Sequence, residues 1–184
     1  VPGGRDDDTL MALTAQGEEA AFRFLVQRWE PEVKAFLIHM LGSLEEAEDL
    51  TQDTFVKVFR NSGSYRAEGS FKSWIFRIAG NLARSRLRRR KVLRWTRFEP
   101  DRHQPRATGP GPDGELERGQ REMEIQKALD RLPARQKEAL VLHRFQGLSY
   151  RDAAAAMATT VPGVESLIQR ALAALRRDLA GKVI

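Results

Sequence analysis

Between Pro100 and Gly114 the chain alternates Pro100, Pro105, Pro110 and Pro112 with Gly109, Gly111 and Gly114. Proline lacks the N–H that a helix needs and clashes with the preceding turn, so helix cannot persist through such a stretch. Roughly Leu93 to Glu117 therefore reads as a flexible linker. The 184 residues divide into two small domains: residues 1–92, and residues 118–184 beyond a linker at 93–117. Fully extended, about 25 linker residues reach on the order of 80 Å, which leaves the relative placement of the two halves open.

Both halves read as helices throughout. No run of valine, isoleucine or threonine alternates with polar residues, and aromatics make up only 8%. The expected class is all-α, two small helical domains on a flexible linker. The first helix is expected from about Glu18 to Trp29, with Phe22, Leu25 and Val26 on one side. Pro31 suits the first position of a second helix, where its missing N–H costs nothing, and that helix ends at Gly42. Ser43 followed by Glu46 is a capping-box pattern for a third helix, to about Asn61. Ser62 to Gly69 is a polar loop, and Ser70 caps a fourth helix from Phe71 to about Lys91. Past the linker, helices are expected at Gln120 to Arg131, Pro133 to Phe145, Tyr150 to Met157, and Pro162 to about Gly181.

The last two of these form a short helix, a brief turn and a longer basic helix, the pattern of a helix-turn-helix. At 100° per residue, Val164, Ile168, Ala171 and Leu175 share one stripe. Ser166, Gln169, Arg170, Ala173, Arg176 and Arg177 share the other. A small, polar, basic face of this kind can enter a major groove, where Arg reads guanine and Gln reads adenine. The bland alternative is the solvated face of an ordinary bundle. The short preceding helix and its turn favour DNA.

The fourth helix carries a different surface. Phe71, Ile75, Ile78 and Leu82 form its expected core stripe, and Trp74, Arg77, Asn81, Arg84 and Arg88 line one flank. From Arg84 to Arg97 there are eight basic residues and no acidic one. Cations follow phosphates while rings and amides engage unstacked bases, so the flank suits single-stranded DNA. Tyr65 in the preceding loop could stack on such a base. Trp74 suits the core better than a base, and Tyr65 fits either role. On the third helix, Leu44, Ala47, Thr51, Phe55 and Val58 are expected inward, and Asp49, Gln52, Asp53, Val56 and Arg60 outward. An acidic face would repel DNA, yet Val56 sits apolar at its centre, a mixture that fits a protein partner as well as it fits solvent.

Bulk properties agree with an anionic partner: the formal charge is +6 and the pI about 10.0, an excess that favours nucleic acid or a membrane surface. The acidic start lacks an apolar signal core, and no apolar run approaches a membrane span, so no membrane insertion is expected. With no cysteine, disulfides, thiolate metal sites and cysteine nucleophiles are excluded, which fits a reducing cytoplasm. His39, His103 and His143 are scattered. Glu45, Glu46, Glu48 and Asp49 crowd a helix N-terminus, where the dipole favours them. No glycine loop with lysine cradles a phosphate. No metal, cofactor or catalytic chemistry is expected.

Taken together, the motifs resemble those of the extracytoplasmic-function sigma factors. The resemblance rests on AEDLTQDTFVKVFRN (47–61), SFKSWIFRIAGNLARSRLRRRK (70–91), ALDRLPARQKEALVLHRFQGLSYRDAAAAMA (128–158) and VPGVESLIQRALAALRRDL (161–179). It implies that Asp49, Gln52, Asp53 and Val56 face core RNA polymerase, through its beta-prime clamp helices, with the beta subunit as a further contact. It implies that Asn61, Tyr65, Ile78 and Asn81 form a pocket for a flipped base of the promoter's minus-ten element. Lys57, Arg66, Arg77, Arg84 and Arg88 become candidate contacts to that strand's backbone. Glu165, Ser166, Gln169 and Arg170 occupy the positions that read the minus-thirty-five duplex, and His143 and Tyr150 lie where phosphate contacts occur. An anti-sigma factor is a further candidate partner. Glu165 and Leu167 stand where many members carry basic residues, Arg151 replaces a frequent acidic one, and Ala153 to Ala156 is an alanine run where relatives have larger side chains, which implies looser packing of that short helix. The rival reading is a sequence-specific regulator with a helical N-terminal sensor. It explains the helix-turn-helix but not the basic, aromatic flank.

Overall fold

The computed structural model describes residues 6–67, 70–97 and 113–180. Its elements are α1 (Asp7–Ala15), α2 (Glu19–Leu41), α3 (Leu44–Arg60), a 3₁₀ turn (Ser62–Ser64), α4 (Phe71–Arg97), α5 (Asp113–Asp130), α6 (Ala134–Arg144), α7 (Tyr150–Ala156) and α8 (Val161–Ala180), with no strand among the described residues. None of the described helices is long and apolar enough to cross a membrane.

Two features of the first forty residues differ from expectation. Helix α1 was not anticipated. Asp6 caps it by accepting from the Thr9 N–H at 2.8 Å, Asp7 and Asp8 favour its positive end, and Leu10 and Met11 are buried where α1 packs on α2. Pro31 does not open a helix. It lies inside α2, which runs unbroken from Glu19 to Leu41. An interior proline costs about 3 kcal/mol, but Leu25 and Trp29 before it and Val33, Phe36, Leu37 and Met40 after it are all buried. At about 1.5–3 kcal/mol per buried large apolar side chain, one continuous face outweighs the lost hydrogen bond.

Helices α3 and α4 pack on α2. The Ser43 hydroxyl caps α3 by accepting from the Glu46 N–H, and Ala47, Thr51, Phe55 and Val58 are buried as expected. Leu44 is not: it is 54% exposed. It is the first helical residue after the cap, a turn beyond where the core begins at Ala47. In α4 the buried stripe is Phe71, Ile75, Phe76, Ala79 and Ala83, with Ile78 and Leu82 half-buried at its margin. The stripe is broad because α4 is covered twice, by α2 and α3 and by α6 and α7.

In the second half, α6 and α7 pack on α8, burying Val164, Ile168 and Ala171. Ser149 caps α7, accepting from the Asp152 N–H at 3.1 Å. The turn between α7 and α8 places Ala158 at φ 49°, a left-handed conformation that costs an L-residue about 1–2 kcal/mol. Ala158→Gly relieves this but frees the unfolded chain by about 0.4–1 kcal/mol. The expected net is a gain of about 0.5–1 kcal/mol, read as a raised midpoint in thermal unfolding.

Helix α4 continues to Arg97 and α5 begins at Asp113, so helix enters the 93–117 segment from both sides. Residues 98–112, with all four linker prolines, lie outside the described residues. The two halves are packed together: α2 meets α5 and α6, and α4 meets α6 and α7. One cluster of buried side chains runs through both.

Candidate nucleic-acid and protein interfaces

On α3, Asp49, Gln52, Asp53, Val56 and Arg60 are all exposed. Val56 is 46% exposed, and Phe59, which sequence reasoning did not single out, is 47% exposed beside it. Phe59 meets Phe22 of α2 edge-on at 5.1 Å, so its ring is held in place. Its position three residues after Val56 was legible as a shared face. The surface is an apolar pair ringed by acids and amides, with α3 buried behind it.

Tyr65 follows the 3₁₀ turn, half-buried between the edges of Phe71 at 5.9 Å and Trp74 at 4.9 Å. Its hydroxyl donates to Asp8 of α1. Burial, then the Asp8 hydrogen bond and charge, push the phenol well above its usual range, so it stays protonated and donating. Asp7 pairs with Arg28 at 2.6 Å. The unanticipated helix α1 thus sets the ring that the family pattern assigns to base capture.

The other minus-ten candidates surround Tyr65 in sequence and along α4. Asn61 ends α3, its amide donating to the Lys57 carbonyl at 2.8 Å. Lys57, Arg66, Arg77 and Arg88 are exposed. Arg66 donates to the Tyr65 carbonyl at 3.1 Å. Ile78 is half-buried and Asn81 exposed. Among the described residues, Arg84 is the one expected backbone contact engaged by the other half of the chain. It donates to both oxygens of Glu138 on α6 and to the Asn81 side-chain oxygen.

That contact belongs to a polar seam between the halves. The last carbonyls of α2 have no partner within their own helix. His39 O accepts from the Gln126 amide at 3.1 Å and Met40 O from the Lys137 ammonium at 2.8 Å, both across the seam, while Leu41 O accepts from Arg90 of α4, within the first half, at 2.9 Å. Cations are favoured at this negative helix end. Lys137 also pairs with Asp130 at 2.6 Å. Burial pushes the Lys137 ammonium down, opposed by Asp130. Burial pushes the Glu138 carboxyl up, opposed by Arg84. The rings of His39 and Phe145 lie 4.3 Å apart. Lys137 and Glu138 close the polar run Arg135, Gln136, Lys137, Glu138 of α6, and nothing in their local sequence marks them as covered by the other half.

On the helix-turn-helix, Glu165, Gln169, Arg170, Ala173, Arg176 and Arg177 are exposed and Ser166 is half-buried. Arg170 donates to the Ser166 hydroxyl at 2.6 Å, which holds the guanidinium along the helix. Leu167, the other departure from the family pattern, packs against the core. His143 and Tyr150 stack at 4.5 Å, 17° apart, with the His143 Nδ1 at 2.9 Å from the Leu148 carbonyl. The alanine run is not loose: Ala153, Ala154 and Ala156 are buried.

Residues 25–93 match the family described as Sigma-70 region 2, and residues 122–175 match Sigma-70, region 4. The RNA polymerase sigma factor NccH of Alcaligenes xylosoxydans is 32% identical over 172 residues, covering 92% of each chain. The ECF RNA polymerase sigma-E factor of Haemophilus influenzae is 31% identical over 172 residues, covering 90% of each. Two solved structures superpose with a TM-score of 0.71. One is CnrH in complex with the cytosolic domain of CnrY, 26% identical, covering 95% of this chain and 97% of that one. The other is the sigma factor RpoE with the anti-sigma factor NepR from Bartonella quintana, 30% identical, covering 86% and 96%.

Proposed function

The chain belongs to the extracytoplasmic-function sigma factors of the sigma-70 family, and from that membership we propose how its surfaces divide the work of initiation. It is a sigma factor that directs RNA polymerase to promoters, and the family is one of initiation factors rather than enzymes. The membership also removes the rival reading of a regulator with a sensor domain.

The first half, residues 1–92, docks on polymerase through Asp49, Gln52, Asp53 and Val56, with Phe59 added to the apolar centre. It takes a flipped minus-ten base between Asn61, Tyr65, Ile78 and Asn81, while Lys57, Arg66, Arg77, Arg84 and Arg88 follow the strand. The second half, residues 118–184, reads the minus-thirty-five duplex through Glu165, Ser166, Gln169 and Arg170, with His143 and Tyr150 at its phosphates. Residues 93–117 connect the two, so polymerase docking turns two weak DNA contacts into one avid one. The chain acts in the cytoplasm, where polymerase is. An anti-sigma factor covering the outward face of α3 silences it. The observation that best supports this division is the juxtaposition of Tyr65, braced by Asp8, with the basic flank of α4.

Base stacking on an aromatic ring contributes about 1–3 kcal/mol. Tyr65→Ala is therefore expected to lower the equilibrium yield of opened promoter by roughly 5- to 150-fold. Tyr65→Phe keeps the ring, loses only the Asp8 bond, and should retain most of the yield. Fluorescence of a base analogue in the minus-ten element, with holoenzyme at stated salt, reads both. Equal yields from Tyr65→Ala and the parent would remove Tyr65 from the capture pocket.

A further inference from the structure

The Glu138 carboxylate lies in a notch of α4. Gly80 is its floor: a Cβ there would collide with Glu138 Oε1 and come 3.3 Å from Cδ. Arg84 is its wall, donating from Nη1 to both carboxylate oxygens while Nη2 donates to Asn81. Glu138 is 0% exposed, although it comes from the other half of the chain. A guanidinium donates to a phosphate as readily as to a carboxylate.

We infer that this notch is an oxyanion site for a backbone phosphate of the minus-ten strand, and that Glu138 fills it as a stand-in while the two halves are packed together. The inference rests on the minus-ten reading of α4 and adds how that surface is regulated. In the packed chain Asp49, Gln52, Asp53 and Val56 on α3 and Gln169 and Arg170 on α8 remain exposed. Polymerase docking and upstream reading thus have access while the notch is filled. The buried alanines of α7 carry no side chain beyond Cβ, which suits the close packing of α7 on α4. A phosphate that takes Arg84 leaves the buried Glu138 carboxylate without its hydrogen-bonded partner, with only the charge of Arg135 still favouring it, a state that folded proteins avoid. Strand capture and separation of the halves are therefore one linked equilibrium, each favouring the other.

Two substitutions test the notch from opposite sides. Gly80→Ala is favourable within a helix, so α4 itself is not weakened, but its Cβ occupies the place of Glu138 Oε1. Glu138→Gln keeps the shape and removes the charge that holds Arg84. The chain has no cysteine, so Ala12→Cys and Ala173→Cys, both at exposed positions, give two unique label sites for a distance measurement on the full chain. The second readout is affinity for single-stranded oligothymidylate, which offers phosphates without a promoter sequence. The expected result is a short label distance in the parent and a longer one in both variants. Both should also bind the oligomer more tightly. The gain is the reciprocal of the parent's open fraction, roughly tenfold if about one molecule in ten is open. Adding Arg84→Ala to Glu138→Gln should cancel it. A parent already extended, variants with unchanged distance and affinity, or a gain that survives Arg84→Ala would each overturn the inference. If the variants behave as expected but no promoter-specific transcript forms with core polymerase, the notch stands and the promoter reading built on it falls.

Discussion

Val56→Asp weakens binding to core RNA polymerase by roughly 30- to 1000-fold, the equivalent of about 2–4 kcal/mol. Val56 and Phe59 form an apolar centre ringed by Asp49, Gln52, Asp53 and Arg60. Docking surfaces concentrate their energy in such centres, which a polar rim shields from water. A carboxylate placed there would be desolvated without a partner and would lie one turn from the like charge of Asp53. The side chain is exposed in the free protein, so stability should change by no more than about 0.5 kcal/mol. Titrating labelled protein with core enzyme, alongside thermal unfolding of the free chain, separates the two effects. Unchanged affinity would place the docking surface elsewhere.

Phe36→Ala is the most damaging change expected inside the fold. Phe36 is 0% exposed, and its ring meets Phe76 of α4 edge-on at 5.2 Å, with Trp29 behind Phe76 at 6.5 Å. Truncating a buried phenylalanine costs about 3–5 kcal/mol. Small domains hold only about 5–15 kcal/mol in total, so the unfolding midpoint should fall by more than about 10 °C. Leu44→Ala, on the exposed first turn of α3, is the comparison and should cost less than about 0.5 kcal/mol. Similar losses in the two variants would contradict the packing described.

That pair also marks where sequence periodicity stops being informative. Period and caps located α3, α6, α7 and α8 to within a few residues, and the start of α4 though not its end, which runs past Lys91 to Arg97, because Ser43, Ser70 and Ser149 are strong local signals and each helix buries one regular stripe. They misplaced Leu44, because a stripe's phase does not say where the core ends along the helix. Pro31 was misleading for a related reason: its local penalty is visible in sequence, but the continuous apolar face that outweighs it is tertiary. Helix α1 was hidden by its acidic start, although the Asp6–Thr9 cap and the Leu10–Met11 pair were there to be read.

The candidate site divides in the same way. Its exposed polar faces on α3 and α8 were legible from angle alone. Their assignment to polymerase and promoter came from the family pattern. The seam between the halves was not legible. Lys137 and Glu138 are charged residues in a helix that could as well face solvent, and only their partners 97 and 54 residues away bury them. The same seam accounts for the alanine run of α7, which as sequence suggested loose packing.

Promoter-directed transcription by a reconstituted holoenzyme tests the central claim most directly. Purified chain is mixed with core RNA polymerase and a library of promoter fragments, and transcripts are mapped across a range of stated salt concentrations, since phosphate contacts make affinity salt-dependent. Discrete start sites should appear only when the chain is present. They should share sequence at the minus-ten and minus-thirty-five positions and be lost with Val56→Asp. No chain-dependent transcript at any salt concentration, with no binding to core polymerase, would contradict the account.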